Sequence, residues 1–221
     1  MPLLPRRLVT LLLGAALVVA AACSDDPDTG DERADQVREA ALEAGLDEPV
    51  ADVLALAARG ATATYQVAYA GSDGASIIVS QDPPNRRVDV MTGTTVVESQ
   101  VLRDGIAYRC ELPDGGLPGD PLTCRRARGA VPPTGTFTEE ALDAFVGALS
   151  AMPPSDLQVE EREIAGVDAS CLVATAGTGD AAVREAVCLA PDGAQLLLDM
   201  GGERLEATEH RTTVPKGTFD V

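Results

Sequence analysis

The sequence predicts a mainly β fold of the α+β class, in which a large antiparallel sheet curves into a half-open barrel with one helix packed in its concave face. Two blocks of short alternating runs, punctuated by Gly, Pro, Asn and Asp, supply the strands. One amphipathic helical stretch lies between the blocks, and four cysteines fall as two local pairs. A sheet of about nine strands tends to curl, and a single helix laid into the curve is an economical cover for its apolar inner face.

The first element is not part of that fold. Arg6 and Arg7 precede an unbroken run of small and aliphatic residues from Leu8 to Ala22, which stops at Cys23-Ser24-Asp25-Asp26. The run is short for a transmembrane helix of about 20 residues, and small side chains occupy the positions a peptidase must accept. Residues 1–22 therefore read as a secretion signal. The pattern resembles the bacterial lipoprotein signal, in which cleavage leaves a cysteine carrying diacylglycerol, with Ala20 where that family most often has leucine. The resemblance implies acylation of Cys23, palmitate-type chains, and a membrane contact made through the lipid anchor on the extracytoplasmic face. A plain secretory peptide or an uncleaved signal anchor are the alternatives. Two acyl chains would anchor stably, since each buried methylene contributes about 0.8 kcal/mol.

Residues 23–48 are expected to be the lipidated cysteine and an acidic tether, with Asp31 to Ala44 either a frayed helix or more tether. From residue 49 onward a single domain is expected. Pro49 reads as a first-turn proline, followed by Val50, Val53, Leu54 and Ala57 on one helical face and Gly60 as terminator. The period then changes to two. Tyr65, Val67 and Tyr69 share a strand face, Ile77-Ile78-Val79 begins a return strand, and Asp82-Pro83-Pro84-Asn85 breaks it. Strands follow at 87–92, 95–102 and 106–112, with Gly93 and Asp104-Gly105 as turns.

Thr138 to Met152 is the clearest helix. Leu142, Phe145, Val146, Leu149 and Met152 recur at three- and four-residue spacing, Thr138 suits the N-cap, and Phe137 can staple to Leu142. Pro153-Pro154 stops it. The second block places strands at 157–164, 167–176, 183–190, 194–200 and 203–213, the last alternating charged and small residues as a half-solvated strand does.

The cysteines divide as one plus four. With Cys23 acylated, Cys110, Cys124, Cys171 and Cys188 form an even set with three possible connectivities, and outside the cytoplasm thiols pair. Facing residues of a hairpin have a constant sum, so Cys171 opposite Cys188 centres a turn between Gly179 and Asp180, inside Gly177-Thr178-Gly179-Asp180. Cys110 and Cys124 bracket the proline- and glycine-rich run from Pro113 to Pro121. Two local disulfides are therefore expected, 110–124 and 171–188, each stabilising by about 3 kcal/mol in the chain-entropy view. No CxxC is present, which argues against a thioredoxin-type or zinc role.

Charge narrows the partners. The 221 residues carry 17 Lys and Arg against 35 Asp and Glu. Loss of Arg6 and Arg7 with the leader leaves 15 against 35, a net charge of −20. Such a body repels phosphate backbones and anionic headgroups, so nucleic acid is not an expected partner, although solubility alone also explains the charge.

Taken with the strand and helix pattern, several stretches carry a resemblance. They are Ala63-Thr64-Tyr65-Gln66-Val67 after an amphipathic helix; Val79-Ser80-Gln81-Asp82-Pro83-Pro84-Asn85-Arg86-Arg87 before a strand; Asp104-Gly105-Ile106-Ala107-Tyr108-Arg109-Cys110; and Cys171-Leu172-Val173 facing Val187-Cys188-Leu189-Ala190-Pro191-Asp192-Gly193. Residues 50–221 thereby resemble the Lol-type periplasmic lipoprotein carriers, their outer-membrane receptor, and the lipid-binding lipoproteins of actinobacteria. The resemblance implies a half-open barrel that cups acyl chains and passes lipidated or glycolipid cargo between membranes. The chain departs from that pattern in having no tryptophan and only six aromatics, and no gating residue can be matched.

Catalysis has little footing. His210 is the only histidine and lies in Glu209-His210-Arg211-Thr212, where it is expected to be exposed and inert. No nucleophile elbow, metal-spaced ligand set or glycine-rich phosphate loop is present, so neither an enzyme nor a cofactor is expected. The expected function is binding of an acyl chain, lipid or lipidated cargo. Tyr65, Val67, Tyr69, Ile78, Val88 and Val90 would face inward against Leu142, Phe145, Val146 and Leu149. The same residues could instead fill a closed core, which for an apolar helical stripe is the commoner outcome. The alternative function is a non-catalytic acidic docking module for another cell-envelope protein, with the Cys110–Cys124 loop as a contact element.

Overall fold

The structure is a computed structural model and describes residues 29–71, 75–127, 139–153, 156–176, 183–200 and 203–221. The signal stretch, Cys23, the Phe137 staple, the Thr138 cap and the Gly177–Asp180 turn lie outside the described residues.

Eleven strands form one antiparallel sheet: β1 Tyr65–Ala70, β2 Ala75–Asp82, β3 Asn85–Thr92, β4 Thr95–Arg103, β5 Ile106–Glu111, β6 Thr123–Arg126, β7 Leu157–Ile164, β8 Val167–Ala176, β9 Val183–Leu189, β10 Gln195–Met200 and β11 Glu203–Arg211. Their spatial order is β6-β5-β4-β3-β2-β1-β11-β10-β9-β8-β7. Each strand block is thus a meander, and the two join where β1 pairs with β11, Val67 opposite His210. The sheet is open, with β6 and β7 as its edges. Three intervening strands would hold β7 about 19 Å from β11 in a flat sheet, yet the two approach within 8 Å. That half of the sheet therefore curls strongly. The α+β, mainly β class follows from these elements.

Among the described residues three helices accompany the sheet: α1 Thr29–Glu43, α2 Glu48–Gly60 and α3 Glu139–Ser150. Pro49 occupies the first turn of α2, as its fixed φ allows. The helix that packs on the strands is α2, against β7, β8 and β9, while α3 lies against α1 and α2. This corrects the expectation that the 138–152 helix would be the one laid on the sheet. Of the two alternatives for the 31–44 stretch, frayed helix or more tether, the structure has the helix. Residues 29–43 form a docked helix whose Ala34, Val37 and Ala41 are buried. A stripe of small side chains is a weak amphipathic signal, but it lets α1 approach α2 closely.

Buried side chains separate into two clusters. One joins Tyr65, Val67, Tyr69, Val79 and Val88 to Cys171, Val173, Cys188, Leu196 and Leu197 in a strand core. The other joins the apolar faces of α1, α2 and α3 to Leu172, Val187 and Leu189 of the sheet. Both expected disulfides are present, with S–S distances of 2.02 Å for Cys110–Cys124 and 2.04 Å for Cys171–Cys188. The registers place Cys110 opposite Cys124, Cys171 opposite Cys188 and Ala176 opposite Val183, the symmetry that the cysteine spacing demands.

At one point α2 is locked to the sheet by backbone alone. A β-carbon on Gly60 would lie 2.2 Å from the Gly193 carbonyl oxygen. Gly193 itself has φ +81°, a left-handed conformation that side chains other than glycine resist. Gln81 Nε2 reinforces the join by donating to the carbonyls of Gly60 (2.7 Å) and Ala63 (3.0 Å).

Candidate functional site

The interface between the helical layer and the sheet is the candidate site. Antiparallel register sets its floor: Val159, Leu172, Val187 and Leu198 follow one another directly across β7 to β10, and directly opposite residues share a sheet face. Leu172 and Val187 are buried beneath the helices, with Val159 and Leu198 partly buried beside them. The roof is built by helical spacing. Leu142, Val146 and Leu149 project from one side of α3, Phe145 packs at their margin, and Val50, Val53 and Leu54 come from α2. The whole surface is aliphatic apart from Phe145.

The ten predicted ligand-lining residues do not meet as one set. Tyr65, Val67, Tyr69 and Val88 belong to the strand core, whereas Leu142, Val146 and Leu149 belong to the helical cluster. Val90 sits on the same face as Tyr69, through Ile77, but is only half-buried. Ile78 pairs with Ala68 and so turns to the opposite face, and Val79 takes the place expected for it. The Ile77-Ile78-Val79 run contains no alternation, so its parity was unreadable until its partner strand was known.

A buried polar group closes one end of the strand core. Tyr69 donates its hydroxyl proton to the Gln195 carbonyl at 2.5 Å, and the Tyr65 hydroxyl lies 3.4 Å from Gln81 Oε1. Desolvation pushes both phenols well above their usual range. Arg86, only 6% exposed, stands within electrostatic reach of both tyrosines. Burial pushes its guanidinium down from the ordinary arginine value, and the tyrosines oppose that shift.

His210 is a correction. Its side chain is 6% exposed rather than solvated, and Nε2 lies 2.9 Å from Asp192 Oδ2. Asp192 Oδ1 also accepts the Ala194 backbone N–H, so the carboxylate braces the 190–194 turn from both sides. What buries the imidazole is that turn, contributed by distant sequence, and the polar composition of 209–212 gives no hint of it. Among the described residues no group of three His, Cys, Asp or Glu is placed to hold a metal ion.

The structure opens a cleft elsewhere, of about 510 Å³, lined by Arg87, Thr95, Cys110, Asp120, Cys124 and Asp220 among others. None of the ten predicted ligand-lining residues borders it.

No family model matches the chain, and no curated protein matches it. Two disulfides fit an oxidising, extracytoplasmic environment, and no helix among the described residues is long and apolar enough to cross a membrane.

Proposed function

We propose that this protein is a membrane-tethered, extracytoplasmic, non-catalytic module that holds an acyl chain of a lipid or lipidated partner between its helical layer and its sheet. One observation carries the reading. The helical layer buries its apolar surface in a cluster separate from the strand core, so it can part from Leu172, Val187 and Leu189 by pivoting about the Gly60–Gly193 contact, which stays closed, while the core beneath stays packed. Uncovering an aliphatic side chain costs about 1.5–3 kcal/mol, and each chain methylene buried in its place returns about 0.8 kcal/mol. A sixteen-carbon chain returns roughly 11 kcal/mol on that scale, enough to offset separation of four or five such side chains. The sequence resemblance to acyl-cupping lipoprotein carriers supports the same reading, as does the lipoprotein-type signal ending at Cys23.

Native mass spectrometry of the full chain extracted from membranes, joined to titration with a fluorescent fatty acid, tests it. Co-purifying lipid or saturable uptake is expected, and Val187→Asp should abolish it by placing a carboxylate on the floor. Absence of both lipid and uptake in the native protein refutes acyl binding. The second reading, an acidic docking module, is favoured by a different feature, the disulfide-braced 110–124 segment beside the solvent-open cleft.

A further inference from the structure

The short strand β6 was not expected from the sequence, because Thr123-Cys124-Arg125-Arg126 has no apolar alternation. It forms because the disulfide sets Cys124 opposite Cys110, and pairing with β5 spreads from there: Arg125 opposite Arg109, Arg126 opposite Tyr108. All four residues are exposed, and among the described residues no strand pairs with the outer side of β6. No described residue takes up that row of backbone donors and acceptors, which is a template for one more strand.

Its charge is unusual for this chain. Acidic residues outnumber basic ones two to one, and exposed arginines elsewhere are taken up by carboxylates: Arg38 by Glu48 and Asp52, Arg204 by Asp199 and Glu206. Arg109, the cross-strand neighbour of Arg125, is engaged by Glu98 (3.2 Å) and Glu111 (2.8 Å). Arg125 and Arg126 have no ion pair with any described residue. Being adjacent in a strand, they project to opposite faces, so a segment laid along β6 meets a cation on each face. Cys124 shares its face with Arg126 and borders the 510 Å³ cleft, which offers that segment a recess for one side chain.

From this edge we infer a docking site for an extended acidic segment of a partner protein, added antiparallel or parallel to β6 as a twelfth strand. Main-chain hydrogen bonds would hold the segment, and two adjacent carboxylates, one projecting to each face, would meet Arg125 and Arg126. A second copy of the same edge is disfavoured, since it would set arginine against arginine. An anionic membrane is disfavoured by the strongly negative body around the edge. The inference is independent of acyl binding and gives the docking reading a surface and a partner chemistry.

The test uses the full chain, disulfides intact, in neutral detergent. A labelled peptide in which Glu-Glu pairs alternate with Val-Val pairs, so that each face carries carboxylates, is titrated by fluorescence anisotropy, and amide exchange is followed with and without it. Saturable binding is expected, weakening as salt rises, with protection confined to the backbone of residues 123–126. Arg125→Glu with Arg126→Glu should lower affinity at least tenfold, while Arg125→Lys with Arg126→Lys retains most of it. Unchanged circular dichroism shows that the reversed variant is folded. A control peptide with proline in place of every valine of that Glu-Glu/Val-Val repeat carries the same charge but loses donors along both edges, and equal affinity for it overturns strand addition. So does arginine-dependent preference for phosphatidylglycerol over phosphatidylcholine vesicles without peptide protection, or arginine-dependent self-association in sedimentation. Peptide binding that survives the double reversal overturns the edge assignment while leaving docking by another surface in place.

Discussion

Replacing Gly60 by alanine probes how the helices are fastened to the sheet. The new β-carbon would lie 2.2 Å from the Gly193 oxygen and 2.7 Å from its carbonyl carbon, and both are backbone atoms that cannot swing aside. Relief requires α2 to withdraw by about 1 Å from the turn between β9 and β10. That movement stretches the two bonds from Gln81 to Gly60 and Ala63. Overpacking costs about 1–3 kcal/mol and a weakened buried hydrogen bond about 1 kcal/mol, so Gly60→Ala should destabilise by about 2–4 kcal/mol. Gly147 in α3 is the control, because a β-carbon there meets nothing within 4 Å. Gly147→Ala should stabilise by about 0.5–1 kcal/mol through helix propensity. Urea unfolding followed by circular dichroism measures both, with equal m-values required for the comparison. If Gly60→Ala is neutral, or stabilises as the control does, α2 is not held to the sheet as described.

Two further outcomes follow from the disulfides and the charges. Replacing both Cys171 and Cys188 by alanine should cost about 3 kcal/mol from chain entropy alone, and more because both sulfurs are fully buried, measured by the same unfolding assay. Mild reduction followed by alkylation and mass mapping should open Cys110–Cys124 first, since Cys124 is exposed; simultaneous opening of both bridges contradicts the burial pattern. Glu185 is held above the usual carboxylate range by burial first and by Asp199 second. A raised native pKa means the folded chain binds the proton more tightly than the unfolded one, so this side chain weakens the fold as pH rises through its folded pKa. Glu185→Gln should therefore raise Tm at pH 7 and lose that advantage at about pH 3, well below the unfolded-state pKa, where the carboxyl is protonated in both states. An equal effect at both pH values contradicts the assignment.

Much of the sheet was legible because its turns are written locally. Asp104-Gly105 supplies two positive φ angles where β4 reverses into β5, and the cysteine spacing fixed the β8–β9 register to the residue. What escaped depends on partners distant in sequence. The side on which Ile78 falls is set by β1, and the burial of His210 by the 190–194 turn. Helix α1 is betrayed only by Val37 and two alanines, whose weak hydrophobicity conceals how closely they let helices pack. β6 exists through a crosslink rather than through its own propensity. That α3 makes its main contacts with α1 and α2, leaving α2 to make the main contact with the strands, could not be read from its apolar stripe, which fits either surface equally.

The most direct measurement loads the full chain with a diazirine-bearing hexadecanoic acid, irradiates it, and maps the adducts by peptide mass spectrometry. Adducts on Leu142, Val146 and Leu149 of α3 and on Leu172, Val187 and Leu189 of the sheet, suppressed by excess unlabelled fatty acid, are the predicted result. Adducts confined to exposed apolar positions such as Leu117 and Val221, or no competable adduct at all, would contradict acyl binding beneath the helices.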